Sequence, residues 1–208
     1  ALPESTVQAV KNCLLDYFGC ALFATQTDMG KIIIDYCKRN NSGKASILPD
    51  FDGGFAPSFA ALANGTCAHG FELDDINTPS ISHPSSVVMP SVIALAEEYG
   101  YTGKQVITAI VAGYEVMSRV GSTIAAAHLA KGFHPTASFG TFGATAACAN
   151  LLGLTTEQTE WAFGLAGSMA SGLTQFSING SMVKRIHGGK SAQQGIICAQ
   201  LAQKGFTG

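Results

Sequence analysis

Two stretches of this chain, Gly132 to Thr156 and Trp161 to Val183, contain no Asp, Glu, Lys or Arg at all, and they restrict the fold more than any other feature. A membrane-spanning helix needs about 20 predominantly apolar residues. Both stretches are interrupted by glycines and by polar groups: His134-Pro135 and Asn150 in the first, Gln175 and Asn179 in the second. They read as helices buried inside a protein, and no membrane span is expected. Their residues are small, as in SFGTFGATAAC (138–148) and GLAGSMASG (164–172). A glycine inside a helix costs roughly 0.5–1 kcal/mol relative to alanine, which is tolerated where helix axes must approach closely or a ligand needs room.

The rest of the chain follows the same periodicity. Ser5-x-x-Gln8, Thr102-x-x-Gln105 and Thr155-x-x-Gln158 are capping-box patterns that open helices. Helices are predicted over about 5–23, 29–39, 57–64, 66–75, 85–99, 102–120, 125–130, 138–152, 160–173 and 189–204, with 182–187 a connector. The segment 45–48 is a short strand or an extended crossing. No period-2 strand pattern is convincing, so the fold class is all-α, about nine helices in one domain over residues 1–208. Charged residues make up only 12%, against about 25% in ordinary soluble domains. That implies a large buried fraction, or apolar surface meant for another subunit or domain. A net charge of −2 argues against nucleic acid as a partner. The six cysteines (13, 20, 37, 67, 148, 198) form no close-spaced pair and read as buried free thiols of a reducing compartment. No signal-peptide pattern opens the chain.

Three clusters could carry chemistry. HGFELDDINTPSISHPSSVVMP (69–90) gathers His69, Glu72, Asp74 and Asp75, then Thr78 and His83, where two helices meet. Carboxylates and a histidine at one place suit proton transfer; solvation of a helix end is the plain alternative. MVKRIHGGKS (182–191) brings Lys184, Arg185, His187 and Lys190 to the start of the last helix, whose free N–H groups favour an anion. It is not a phosphate loop, because Lys184 stands where that motif needs glycine. His134, at a helix N-terminus, is expected neutral and able to accept a proton. His128 has no polar company and reads as structural. His69, Glu72 and Asp75 would share a helical face, but a carboxylate-bridged metal pair needs a second Glu-x-x-His set that is missing, so no metal is expected. Neither GxGxxG nor GxSxG occurs. Acids and histidines facing a cationic cluster suit proton movement next to a carboxylate.

Four motifs, ANGTCAHGFELDD (63–75), SHPSSVVMPSVIALAE (82–97), GFHPTASFGTFGATAA (132–147) and MVKRIHGGKSAQQG (182–195), together resemble the MmgE/PrpD family. That family includes 2-methylcitrate dehydratases, cis-aconitate decarboxylases and an iminodisuccinate epimerase. The resemblance covers essentially the whole chain. It implies a helical domain carrying most of the active site, a second α+β lid domain, homodimers, and chemistry on di- or tricarboxylates without cofactor or metal. By position, His83, His134 and Lys184 match family active-site residues, and Glu72 to Asp75 match the segment that contributes a catalytic acid. Many members read D-F-D-D-T there, whereas this chain reads Glu72, Leu73, Asp74, Asp75, Ile76, so the acid stays open among the three. Family members run to roughly twice this length, which implies a fragment or a complementary chain. The expected activity is a hydro-lyase of the 2-methylcitrate dehydratase kind, with a decarboxylase or epimerase on the same scaffold, or a non-catalytic helical subunit, as alternatives. Arg185, His187, Lys190 and Thr78 are expected to bind substrate. The expected compartment is the cytoplasm, or the mitochondrial matrix in a eukaryote.

Overall fold

The computed structural model describes all 208 residues. Nine helices follow in order: α1 (Glu4–Ala24), α2 (Asp28–Cys37), α3 (Pro57–Ala68), α4 (Ser85–Tyr99), α5 (Gly103–Ala130), α6 (Pro135–Leu152), α7 (Thr156–Met169), α8 (Phe176–Asn179) and α9 (Val183–Gln203), with a 3-10 turn at Thr78–Ser80. There is no sheet; residues 45–48 contribute only an isolated bridge, Ala45 to Phe55. The fold is all-α, as the periodicity predicts.

The charge-free stretch from Gly132 becomes α6, and fifteen of its eighteen residues are buried. A helix apolar on every side can be satisfied only at the centre of a fold, and α6 packs against α4, α5, α7 and α9. Its small residues let those neighbours come close: a Cβ on Gly143 would stand 2.7 Å from Met117 Cβ, on α5. Capping boxes form at Thr102 and Thr155. The one expected at Ser5 does not: α1 begins at Glu4, after Pro3 and without a side-chain cap.

Three boundaries differ from the sequence reading. The two helices expected over 102–120 and 125–130 are one, because Gly121 does not break α5. It faces the 3-10 turn so closely that a Cβ there would stand 2.4 Å from Ser80 Cβ. The helix expected over 66–75 ends at Ala68, and Glu72 takes a left-handed backbone (φ 60°). His69, Glu72 and Asp75 therefore do not share a helical face. Finally, α9 starts at Val183 and not at Gly189. Lys184 lies in its first turn, and Gly188 and Gly189 are interior positions where α3 crosses α9.

That crossing leaves no room for a side chain. A Cβ on Gly189 would stand 2.0 Å from Leu62 O and 2.4 Å from Thr66 Oγ1. Gly189→Ala is therefore expected to destabilise by about 1–3 kcal/mol or more, seen as a thermal midpoint lower by several degrees. An unchanged midpoint would show that the helices can separate at little cost.

Candidate active site

Four of the five histidines converge on one end of α6. His69 follows the last turn of α3, His83 precedes α4, His134 is the N-cap of α6, and His187 lies in the second turn of α9. Their rings form a row, with centroids 4.9 Å apart for His69–His83, 5.9 Å for His69–His134 and 5.1 Å for His134–His187. His69 is fully buried and His134 and His187 are each 6% exposed. The side chain of His83, at 15%, is the most open of the row.

The loop between α3 and α4 is shaped by short polar bonds. Asn77 and Ser82 exchange backbone hydrogen bonds (2.8 and 3.3 Å), and the Asn77 side chain accepts from Ser80 N at 3.1 Å. This delivers the three acids to different destinations. Asp75 Oδ1 accepts from Ser85 N at 2.8 Å, at the start of α4, and its Oδ2 accepts from the Tyr114 hydroxyl at 2.8 Å. Asp75 thus ties the loop to α4 and α5. Asp74, only 5% exposed, turns inward: its Oδ2 lies 3.0 Å from His69 Nδ1 and 3.5 Å from His83 Nδ1. The His83 ring also donates from Nδ1 to the Asp74 carbonyl at 3.3 Å, and its backbone N–H donates to Thr136 Oγ1 at 3.2 Å. Glu72 pairs across the mouth of the site with Lys184.

Opposite the histidines, Lys184 lies 5.7 Å from the Phe176 ring centroid. A short antiparallel contact holds that side in place, with His134 N donating to Gly172 O (3.0 Å) and Thr174 N to Gly132 O (2.9 Å). Between the two sides is a cavity of about 420 Å³ that His83, His134, Thr174, Phe176, Ser177 and Lys184 help to line. Ligand sites of this kind span about 300–1,000 Å³. A second hollow, of about 350 Å³ between α1 and α5, has no cation in its lining and offers nothing to hold a carboxylate.

Burial, which alone would raise the Asp74 carboxyl, is outweighed by the His69 hydrogen bond and the His69 and His83 imidazoles, so its pKa is lowered. Burial, with the neighbouring His69, His187, Lys184 and His83, pushes His134 down to about 2. Burial and then Lys190, His69 and Lys184 push His187 down to about 4. Four buried polar atoms have no protein partner, Ser85 Oγ, His128 Nε2, His69 Nε2 and Asp74 Oδ1, and the last two belong to the histidine row and its acid.

The expected residues thus separate. His83, His134 and Lys184 line the cavity, with Asp74 behind His83 and Glu72 on Lys184. His187 stands behind His134. Lys190 contacts Ser171, and burial lowers its pKa. Thr78 is exposed on the 3-10 turn, and neither it nor Arg185 is in the cavity wall. Sequence reasoning grouped His69 with the acids for proton transfer and weighed it as a metal ligand without naming it a site residue, and it missed Phe176. The His69–Asp74 spacing is that of a loop, so no periodicity could have paired them, and Phe176 is a lone aromatic in a polar segment. His69, Asp74 and His83 set three donor atoms within 4.8 Å of one another, a span that could hold a divalent ion. The same atoms are explained without an ion by the His69 N–H donating to the buried Asp74 carboxylate and the His83 N–H donating to the Asp74 carbonyl. The metal set considered from sequence, His69 with Glu72 and Asp75, is not assembled.

The profile described as the MmgE/PrpD N-terminal domain matches residues 1–208. The whole chain is similar to a cis-aconitate decarboxylase-like protein, oryM, of Aspergillus oryzae (33% identity, 44% of that protein's length). It is likewise similar over its whole length to cis-aconitate decarboxylase of Homo sapiens (32%, 44% of its length) and of Mus musculus (29%, 43%). The chain therefore spans less than half the length of these relatives. No helix is long and apolar enough to cross a membrane.

Proposed function

We propose that this chain, which belongs to the MmgE/PrpD family, is the helical part of a lyase that moves a proton next to a carboxylate of a small di- or tricarboxylate. The observation that carries this reading is one cavity lined by His83, His134 and Lys184 together. A cation sharing a cavity with proton carriers suits a carbanion conjugated with a carboxylate: Lys184 holds the anion and stabilises the developing charge, while His83 gives or takes the proton. The names of the relatives favour carboxy-lyase chemistry on cis-aconitate as the first reaction to assay. In it the bond to the departing CO2 breaks, its electron pair stays on carbon, and a proton from the imidazolium of His83 closes the valence. The 2-methylcitrate dehydration suggested by the motifs uses the same groups in the opposite sense, abstracting a carbon proton and protonating the departing hydroxyl. Epimerisation stops at proton exchange.

The complete enzyme is proposed as a homodimer in which a further region covers the cavity mouth. Incubating it with cis-aconitate, 2-methylcitrate and iminodisuccinate, and following CO2, water loss and configuration, separates the three reactions. Release of CO2 from cis-aconitate is expected. Failure of all three, with no carboxylate binding by calorimetry, would leave the non-catalytic alternative.

A further inference from the structure

His134 and His187, 53 residues apart in sequence, place Nδ1 against Nδ1 at 2.9 Å. At this distance the two nitrogens cannot both carry a proton, and two lone pairs would repel, so a single proton lies between them. Neither ring is free to turn away. Phe176 meets both nearly edge-on, at 5.1 Å from His134 and 5.8 Å from His187. The backbone at Gly172 (φ 132°) runs along the other side, where a Cβ would stand 2.4 Å from Ala137 Cβ and 3.5 Å from the His187 ring.

The position of that proton decides what His134 offers the cavity. If His134 donates, its Nε2 is a lone pair and the residue is a base. If His187 donates, Nε2 keeps its hydrogen and the residue is a neutral donor. One feature selects the second arrangement, and another keeps the His134 ring uncharged in either. Lys184 lines the cavity, where a carboxylate would be held in the proposed function, and a lone pair facing that carboxylate is repelled where an N–H is attracted. His134 is also the N-cap of α6, whose positive dipole end disfavours an imidazolium and so leaves a neutral ring to do the work.

We propose that His187 is a positioning residue that donates its Nδ1 proton to His134 Nδ1, making His134 a neutral Nε2–H donor to a substrate carboxylate or to the charge that develops on it. The low proton affinity of both rings agrees with a pair that stays uncharged. This departs from the expectation that His187 binds substrate and His134 accepts a proton, and it leaves proton carriage to His83. It rests on the polycarboxylate reading above, both for the identity of the acceptor and for the choice of tautomer, whereas the single shared proton follows from the 2.9 Å contact alone.

The test has two arms on the complete enzyme. In the first, histidine-selective ¹⁵N labelling with two-bond proton–nitrogen correlation reads the tautomers, assigned by loss of signals in His134→Asn and His187→Asn. Between pH 6 and 8, His134 is expected to show a protonated Nε2 and an acceptor-type Nδ1, with His187 protonated at Nδ1. The reverse pattern on either ring, or an imidazolium on either, overturns the proposal whether or not any lyase activity is found. The second arm uses the active enzyme. The amide nitrogen of Asn stands where His187 Nδ1 stands and can donate the same hydrogen bond; Phe cannot. His187→Phe is expected to lower kcat by about ten- to a hundredfold, the scale of one lost hydrogen bond at a reacting group, with KM changed less. His187→Asn is expected to recover most of that loss. Equal loss in both variants, or none in either, overturns the positioning role.

Discussion

His83→Ala in the complete enzyme is expected to lower kcat by about 10²–10⁴, the range of a positioned proton carrier, with KM altered far less. The reasons lie in where the ring stands. Of the two histidines that line the cavity, His83 is the more exposed, so a proton it loses can be restored from outside. Its Nδ1 is occupied by the Asp74 carbonyl, with the Asp74 carboxylate 3.5 Å away, which leaves Nε2 for the substrate. In the proposed function Lys184 holds the substrate anions, so removing the imidazole should spare binding. Lys184→Met should do the reverse, raising KM as well as lowering kcat. The measurement is steady-state kinetics on whichever carboxylate the product assay identifies, with circular dichroism to confirm the fold. Near-full turnover by His83→Ala would move the proton-carrying role elsewhere in the row.

The relation between sequence and fold is uneven for physical reasons visible at single residues. Thr102 and Thr155 announce their helices because a capping box is a local bond between side chain and backbone three residues away. The glycines misled. Gly121 and Gly188-Gly189 look like breaks or connectors, yet each lies inside a helix where another backbone or side chain presses against it. Propensity marks glycine as a stop; packing uses it as a notch. The site was legible as residue types and as a resemblance, and His83, His134 and Lys184 do meet around one cavity. The division of labour among Glu72, Asp74 and Asp75 was not legible. It follows from a loop whose φ changes sign at Glu72, so that neighbours in sequence face Lys184, the histidines and Tyr114 in turn. The His134–His187 pair could not be read at all, because its two partners sit on helices brought together only by the crossing of α6 and α9.

Between pH 6.5 and 4 the complete enzyme is expected to lose stability steeply, and the histidine row is the cause. The folded state holds His134 down to about 2 and His187 down to about 4, whereas an unfolded histidine takes up its proton near pH 6.5. Both folded values are depressed, so the unfolded state binds more protons as pH falls through that window. The stabilisation is fully present above about 6.5 and declines below it by about 1.4 kcal/mol per pH unit for each ring. Asp74 acts lower. Its folded pKa is depressed as well, so its contribution is complete above the unfolded value near 3.9 and is lost only as pH drops beyond it. Urea unfolding of wild type and His134→Asn at half-unit steps of pH separates the row from all other titrating groups: the variant's slope between pH 6 and 4.5 should be shallower by about one proton. Identical slopes would mean that His134 is protonated inside the fold, which is incompatible with an N–H···N bond between neutral rings. It would place a positive charge beside Lys184, and the cavity wall would then be doubly cationic. The same result would favour His134 over His83 as the proton carrier.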